Sequence, residues 1–316
     1  MKPFLLLASI SLFAADVARI WDTAPHNAFT DLIHHKGEWF CVFREGRAHV
    51  STDGAIRVIA SRNGVKWTST ALLKSAALDL RDPKITLTPK GELMLTAAAA
   101  QREKDGQSPV PHDTFAWFSR DGATWSEPVK IGDHNFWLWR VSWNKGAAYT
   151  VGYETMSRAG ITRLYTSRDG RQFDTLVPTL QADGYSNESS ILFKKDGTAL
   201  CLLRRDGGTR TALLGTSKPP YKEWHWKDLG VRIGGPHFVE ISGGRLIGAV
   251  RLHDGKTRTA IVEIDAAAGT LKEVSPLPSS GDSSYAGLVW RNGELWISYY
   301  ASHEGKSSIY LARWKP

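Results

Sequence analysis

One pattern recurs along nearly the whole chain: an apolar segment, a turn that contains glycine, and a second apolar segment. Successive turn glycines lie 54, 55, 51, 47 and 49 residues apart, so the repeat is regular. The six copies read FTDLIHHKGEWFCVF, DPKITLTPKGELMLTA, WRVSWNKGAAYTVGY, ESSILFKKDGTALCLL, PHFVEISGGRLIGAV and YAGLVWRNGELWISYY, with turn glycines Gly37, Gly91, Gly146, Gly197, Gly244 and Gly293.

A period of about 50 residues filled with short strands and glycine turns is typical of β-propeller blades. One four-stranded sheet cannot bury both of its faces until neighbouring sheets pack against it. The six copies therefore predict an all-β, six-bladed β-propeller. We also expect DVARIW, Asp16 to Trp21, to pair with the C-terminal segment SSIYLARW, Ser307 to Trp314, which closes the ring and removes an open sheet edge.

A shorter motif occurs three times: SRNGVKW from Ser61, SRDGATW from Ser119 and SRDGRQF from Ser167. We call these segments the SRxG turns. Each follows a turn glycine at the distance where the hairpin between the third and fourth strands of a blade should lie. Asp or Asn before Gly suits a tight turn, so the motif predicts structural staples, with a degenerate fourth copy, SKPPYKEW, from Ser217.

The first fifteen residues, MKPFLLLASISLFAA, combine a lysine, an apolar run and terminal small residues. This pattern predicts a signal peptide over residues 1–15, a single propeller domain over residues 16–316, and a secreted or periplasmic location. No later stretch is apolar enough to span a bilayer. Cys41 and Cys201 lie in separate apolar runs, which predicts two buried free thiols.

The formal net charge is +8, but Lys and Arg are spread along the chain without a basic run. We therefore expect no nucleic-acid partner, whereas a basic surface can attract an acidic glycan at long range. The histidines show none of the short spacings of metal sites, and the chain has no phosphate loop or Gly-x-Ser-x-Gly elbow. The sequence predicts no metal, no cofactor and a monomer.

Polar residues stand beside strongly apolar runs at the predicted starts of the inner strands, where the central channel begins. Charges there are costly to desolvate, and a convergent set of both signs offsets that cost by pairing or by binding a ligand. Two interpretations stay open: a ligand site, or a ring of salt bridges that plugs the channel. The residues are Arg81, Asp82, Arg140, Glu188, His237 and Tyr285.

In this frame the SRxG turns resemble the Asp boxes (BNR repeats) of the sialidase, or neuraminidase, superfamily. Four stretches resemble that family in order along the chain: FREGRAHVSTDGAIRVIASRNGVKW, LRDPKI, NESSILFKKDGTALCLLR and SSYAGL. The resemblance implies an acid/base at Asp53, a pocket residue at Glu45, a sugar contact at Asp82, a carboxylate-binding arginine at Arg204, and Glu188 and Tyr285 at the reacting centre.

The chemistry that the resemblance implies is coherent. A sialic acid carries a carboxylate on its anomeric carbon, so a neutral phenol can approach where a carboxylate nucleophile would be repelled. A tyrosine ordinarily has a pKa of about 10, so Tyr285 would need Glu188 as its base. Asp53 would protonate the leaving oxygen and then activate water.

Sialidases hold the substrate carboxylate with three arginines, and only Arg204 falls directly into place. For the third arginine, Arg258 in KTRTAIVEI is the first choice and Arg251 in AVRLHDG the second. Where the family has its first arginine this chain has Asn27, and Arg44 is the candidate replacement.

We therefore expect a secreted, sialidase-like exo-glycosidase, a retaining glycoside hydrolase that acts on terminal acidic sugars of glycans. The missing first arginine favours one alternative, a propeller glycosidase or lyase for a uronic-acid-type or neutral sugar. A polar ring satisfied by its own ion pairs would favour another, a non-catalytic glycan-binding propeller. The expected substrate-binding residues are Arg204, Arg258, Arg44, Arg81, Asp82, Glu45, Arg140 and His237.

Overall fold

The computed structural model describes residues 15–157 and 159–316, and the predicted signal peptide lies outside them except for its last residue. Regular structure in the described residues is β apart from one 3-10 turn, Ser242–Gly244. The strands form six antiparallel sheets, of which five are built from consecutive strands and the sixth joins the first strand to the last three. The predicted six-bladed β-propeller is confirmed. No helix in the described part of the chain is long and apolar enough to cross a membrane.

The first three blades follow the chain in order. Blade 1 consists of β2 (His26–His35), β3 (Glu38–Gly46), β4 (Ala55–Ser61) and β5 (Thr68–Leu73). Blade 2 consists of β6 (Asp79–Leu87), β7 (Leu93–Ala100), β8 (His112–Ser119) and β9 (Val129–Ile131). Blade 3 has a divided first strand and consists of β10 (Phe136–Leu138), β11 (Ser142–Asn144), β12 (Ala147–Glu154), β13 (Thr162–Ser167) and β14 (Asp174–Gln181).

The other three blades complete the ring. Blade 4 consists of β15 (Ser186–Phe193), β16 (Ala199–Arg205), β17 (Leu213–Ser217) and β18 (His225–Asp228). Blade 5 consists of β19 (Ile233–Glu240), β20 (Leu246–Leu252), β21 (Arg258–Asp265) and β22 (Thr270–Pro276). Blade 6 consists of β23 (Ser284–Arg291), β24 (Glu294–Ala301), β25 (Ser308–Trp314) and β1 (Asp16–Trp21).

Blade 6 therefore joins the two ends of the described chain. Strand β1 is its outermost strand and pairs antiparallel with β25, so that Asp16 faces Arg313 and Arg19 faces Tyr310. The side chains of Asp16 and Arg313 also form an ion pair. The predicted ring closure is confirmed, and it leaves β25 without an open edge.

The hydrophobic core lies between neighbouring blades. Val42 and Val58 of blade 1, for example, pack in one cluster with Leu93 and Leu95 of blade 2. All four side chains are fully buried. Cys41 and Cys201 are buried free thiols, as predicted.

The SRxG turns lie between the third and fourth strands of blades 1, 2 and 3. In the second copy, the Ser119 hydroxyl accepts the Gly122 amide hydrogen at 2.8 Å, and Asp121 Oδ1 accepts two further backbone amides. The Trp125 indole donates to the Gly122 carbonyl at 3.3 Å. Gly122 has a φ of 73° and lies directly against the ring of Phe40 in the preceding blade. The turn thus joins two blades.

Each innermost strand carries one residue more than the strand with which it pairs. In β23, Ser284 faces Tyr300 and Gly287 faces Ser298, so three steps along β23 match two along β24. The same excess occurs in blades 1, 2, 4 and 5, and in blade 3 it separates β10 from β11. We call the extra stretches the bulge segments: 29–30, 82–83, 139–141, 187–188, 235–236 and 285–286. Such β-bulges redirect side chains.

Removal of β1 should destabilise the ring, because blade 6 loses its outer strand and β25 becomes an open edge. A chain that starts at Thr23 should melt several degrees below one that starts at Ala15, at about 2–4 °C for each kcal/mol lost. Arg19→Ala is the control, because it leaves β1 in place and removes only two half-exposed ion pairs. Equal melting temperatures for the two chains would contradict this role of β1.

Two glycines with similar backbone angles separate conformational strain from inter-blade packing. Gly91 has a φ of 76° and open space around it, so Gly91→Ala should cost about 1–2 kcal/mol. A Cβ at Gly122 would lie 2.2 Å from Phe40 Cε1, so Gly122→Ala should cost about 1–3 kcal/mol more. Urea unfolding measures both values, and equal costs would show that Gly122 does not fix the blade contact.

Candidate functional site

The bulge segments bring side chains from all parts of the ring to Tyr285. The ring centre of Tyr285 lies 5.3 Å from that of Phe29 and 5.8 Å from that of Trp139. The Gly235 backbone is so close that an added Cβ would lie 3.0 Å from Tyr285 Cα. Because each segment lies near the start of an innermost strand, these residues meet at one end of the channel.

The centre of this group is a phenol, a carboxylate and a guanidinium in direct contact. The Tyr285 hydroxyl donates to Glu188 Oε1 over 2.6 Å. Arg204 Nη1 lies 2.8 Å from the same oxygen and 3.1 Å from the phenol oxygen. Glu188 Oε2 accepts the Gly235 amide hydrogen at 2.9 Å. The structure thus brings together three residues that the sequence placed in one site.

The electrostatics of this triad keep the phenol protonated. Burial raises the pKa of Tyr285 and the Glu188 charge raises it further, whereas Arg204 and Arg251 oppose that rise. Burial lowers the pKa of Arg204, but Glu188, Tyr285 and Asp206 outweigh it, so the pKa lies well above its ordinary value. Tyr285 can therefore become a phenolate only when Glu188 accepts its proton.

Arg251 brings a second guanidinium to Tyr285. Its Cζ lies 5.2 Å from the centre of the Tyr285 ring. Its Nη2 lies 3.1 Å from both Asp282 Oδ1 and the Tyr300 hydroxyl, and its Nε donates to the Ser283 carbonyl at 2.8 Å. Arg251, the second choice from the sequence for the third arginine, therefore lies beside Tyr285, and Arg258, the first choice, does not.

Arg258 and Glu45 lie away from the site, which corrects two predictions. Arg258 begins β21, the third strand of its blade, and pairs there with Glu273 and with Asp254 at 2.9 Å. Glu45 lies on a second strand and faces blade 6, where it binds Arg57 at 2.9 Å and accepts the Trp21 indole hydrogen at 2.7 Å. Both side chains are held by partners outside the group around Tyr285, so neither completes the site.

Arg44 is also not available to a ligand. It is fully buried and faces blade 2, where its Nε and Nη2 bind Asp79 Oδ1 at 2.9 and 2.8 Å. Its Nη2 also donates to the Ser51 hydroxyl at 2.9 Å. Asp79 Oδ2 binds Arg102 at 2.7 Å and Arg81 at 3.3 Å, so one buried carboxylate is surrounded by three guanidinium groups. Arg44 therefore has a structural role. Arg81 shares that role through its contact with Asp79.

Asp82 remains next to the centre. It belongs to a bulge segment, has a φ of 50°, and lies 3.7 Å from Arg81 Nε. Burial raises the pKa of Asp82, with an opposing effect of Arg81 and a further rise from the charge of Glu188. After burial and the charge of Glu188, the Asp82 charge in turn raises the pKa of Tyr285, as expected for a carboxylate at the same end of the channel.

Arg140 and His237 belong to a deeper layer that fills the channel. Arg140 Nη1 binds Asp31 Oδ2 at 2.7 Å, and its Nη2 donates to the Ala286 carbonyl at 3.3 Å. His237 Nδ1 lies 3.0 Å from the same carbonyl oxygen, and burial holds the pKa of His237 well below its ordinary value. For this layer, the plug interpretation describes the structure, since both side chains bind within the protein.

Asp53 lies on the loop between β3 and β4. Its Oδ1 accepts the Arg47 amide hydrogen at 3.1 Å, and its side chain is 41% exposed. Burial alone would raise the pKa of Asp53, but hydrogen bonds from Ser51 and Arg47 hold it below its ordinary value. A general acid needs the opposite shift, so the acid/base role of Asp53 stays a prediction that this geometry does not support.

Several residues of the site escaped the sequence analysis. In the sequence, Phe29 looks like an ordinary core residue. Asp282 precedes Tyr285 by three residues in GDSSY, where no motif marks it as a site residue. His49 lies on the same loop as Asp53, and its ring centre is 5.1 Å from that of Phe29. Asn27, in the place of the missing arginine, binds the carbonyls of residues 24 and 307 and is structural.

An aromatic cleft adjoins the site. It has a volume of about 220 Å³ and is lined in part by Trp137, Tyr153, His112 and Arg102. The rings of Trp137 and Tyr153 are stacked with their centres 6.2 Å apart, and Trp139 connects Tyr153 to Tyr285. Flat apolar rings beside charged groups are suited to a sugar, which has apolar C–H faces and polar hydroxyls.

Lys84, in the deeper layer, gives the site a pH-dependent stability. Burial, and next the charge of Arg140, lower the pKa of Lys84 to about 8. Between pH 8 and 10.5 the unfolded chain binds more protons, so the free energy of unfolding of the wild type should rise by up to about 3 kcal/mol relative to Lys84→Met. Chemical unfolding across this range measures the difference. Lys130→Met, at a half-exposed lysine, should run parallel to the wild type, and a parallel course for Lys84→Met would contradict the prediction.

Neither a protein-family model nor a curated protein matches the chain. Solved structures are similar in fold. A Dyadobacter fermentans protein of unknown function has a TM-score of 0.84 at 17% identity, covering 95% of this chain and 98% of that chain. An α-L-arabinofuranosidase from Fusarium graminearum has a TM-score of 0.70 at 14% identity, with the same coverage.

Trypanosoma rangeli sialidase has a TM-score of 0.71 at 13% identity. The match covers 92% of this chain but 55% of the sialidase, so this chain spans about half the length of that protein. At these identities the similarity establishes the sialidase-like, six-bladed fold and nothing finer.

Proposed function

We propose that this protein is a sialidase-like exo-glycosidase that removes a terminal acidic sugar from glycans. The observation that carries the proposal is the hydrogen bond of 2.6 Å between the Tyr285 hydroxyl and Glu188, beside two guanidinium groups. A phenol is a poor nucleophile by itself, and an adjacent carboxylate base is what activates it. The pattern of residues 1–15 supports a secreted or periplasmic location.

In the proposed reaction, Tyr285 Oη attacks the anomeric carbon while its proton passes to Glu188 Oε1. The bond between the anomeric carbon and the glycosidic oxygen breaks, and that oxygen leaves with a proton from a general acid. Water then attacks the anomeric carbon of the glycosyl-tyrosine and gives a proton to the now deprotonated general acid, while the bond to Tyr285 breaks and the proton on Glu188 returns to the phenolate. The resemblance alone supports Asp53 as the acid/base group, on a loop that borders the site through His49.

Arg204 and Arg251 would hold the carboxylate of the sugar. A guanidinium group recognises a carboxylate through two parallel hydrogen bonds, which a lysine cannot form. Arg204 Nε is a buried donor without a partner in the protein, and a buried donor of this kind calls for an acceptor. The side chains of Arg204 and Arg251 are 16% and 14% exposed, so they lie at the edge of the buried region.

A second candidate is a glycosidase for a different sugar on the same scaffold. The Fusarium arabinofuranosidase supports it, because that chain matches along 98% of its length whereas the sialidase matches along half. The site supports it as well, because Asn27 is structural and Asp53 binds Arg47. In this case Tyr285 and Glu188 keep their roles, and the terminal sugar that is removed is neutral or uronic.

Turnover of fluorogenic glycosides tests the proposal. The panel should include a sialoside, a uronide and an arabinofuranoside, with wild type, Tyr285→Phe and Glu188→Gln. Each replacement should lower kcat by about 100- to 10,000-fold on the preferred sugar. Tyr299→Phe is the matched control, because Tyr299 is a buried tyrosine of the same blade that binds the Pro278 carbonyl.

A sialoside as the preferred sugar supports the first candidate, and another sugar supports the second. Equal turnover by Tyr285→Phe and the wild type would reject Tyr285 as the nucleophile. No turnover of any glycoside, with glycans bound equally well by wild type and Tyr285→Phe, would identify a non-catalytic glycan-binding propeller.

A further inference from the structure

Three side chains with metal-ligating atoms converge at the edge of the site. His26 begins β2, His49 lies on the loop after β3, and Asp282 lies on the loop before β23. Their ligand atoms all lie within 4.8 Å of one another. We call these three residues the His–Asp–His cluster.

The distances in the cluster are close to those of a metal site. Asp282 Oδ2 lies 2.5 Å from His49 Nδ1 and 3.4 Å from His26 Nε2. Bonds of about 2.0–2.2 Å in a tetrahedral zinc site place neighbouring ligand atoms about 3.4 Å apart. The pair of Asp282 and His26 already has that spacing. His49 must move by about 1 Å, and its loop position and 48% side-chain exposure allow this movement.

Hydrogen bonds to one carboxylate oxygen of Asp282 hold this side chain in one orientation. Its other oxygen, Oδ1, accepts hydrogen bonds from Arg251 at 3.1 Å and from the Tyr300 hydroxyl at 2.5 Å. Oδ2 is thereby turned toward the two imidazoles. Outer hydrogen bonds of this kind orient the ligating carboxylates of metal sites. The positive charge of Arg251 opposes a cation, but the negative carboxylate stands between them.

We propose that the His–Asp–His cluster binds one divalent transition-metal ion of the Zn²⁺ class. Two imidazole nitrogens and one carboxylate oxygen favour such ions over Ca²⁺ or Mg²⁺, which prefer oxygen ligands. Three protein ligands leave a fourth position open, and the exposure of His49 directs it to solvent. The Phe29 ring contacts both His49 and Tyr285, so the ion would sit one side chain away from the phenol.

The proposal is independent of the reaction assigned to Tyr285. It also explains why the sequence predicts no metal: the three ligands are far apart in the chain and meet only across the junction of blades 1 and 6.

Titration calorimetry with Zn²⁺ on protein without a polyhistidine tag tests the proposal. The wild type should bind one ion per chain. His49→Ala and Asp282→Asn should weaken binding by about 100-fold or more, because loss of an outer partner alone costs about 10–100-fold. Tyr300→Phe removes such an outer partner and should give the smaller effect.

His134→Ala is the matched control, because His134 is a half-exposed histidine that binds a carboxylate, Asp113, but has no second histidine in the same group. It should bind Zn²⁺ like the wild type. Co²⁺ added to the wild type gives a second measurement that needs no variant, since a tetrahedral site produces an intense visible absorption that Zn²⁺ abolishes. Absence of saturable binding, or binding that survives both His49→Ala and Asp282→Asn, overturns the proposal.

Discussion

The extra residue in each innermost strand is the constraint on which the site depends. Side chains alternate between the two faces of a strand, so one inserted residue changes which face every later side chain occupies. The insertions force Phe29, Asp82 and Tyr285 into positive φ, at a cost of about 1–2 kcal/mol for each residue. In return, side chains from five blades and the Gly235 backbone of blade 5 come close to the same point. Three of the eleven non-glycine residues with positive φ in the described part of the chain thus lie where the chemistry is proposed.

Two layers of polar side chains follow from this geometry. In the deeper layer, Arg140 pairs with Asp31, and both Arg140 and His237 bind the Ala286 carbonyl. In the outer layer, Glu188, Arg204 and Tyr285 are also paired, and among the described residues Arg204 Nε, like Arg140 Nε, is a buried donor without a partner. The two layers differ in access: the Arg204 side chain is 16% exposed and the Arg140 side chain 9%, so Arg204 is the arginine that a ligand can reach more easily.

The sequence predicted the architecture well because blades are made by local patterns, and glycines such as Gly91 mark each turn. It placed Tyr285 and Glu188 together because each lies at the predicted start of an inner strand, whereas the family resemblance alone added Arg204 to them. The choice of Arg258 as the third arginine was wrong. The sequence does not show the register of the hairpin of β20 and β21, in which Arg258 pairs with Leu252 on the third strand while Arg251, on the second strand, lies beside Tyr285. It could not reveal the bulges, because one inserted residue leaves the apolar pattern of a short strand unchanged.

The pairing of β1 with β25 also has a consequence for biosynthesis. The strand that is made first finds its partner last, after every other blade has emerged from the ribosome. Until then blade 6 cannot be completed. The faces of blades 1 and 5 that blade 6 covers stay exposed, and exposed apolar faces favour association with other chains. Contacts between residues so distant in the chain form slowly. The ring therefore closes only after β25 has been synthesised.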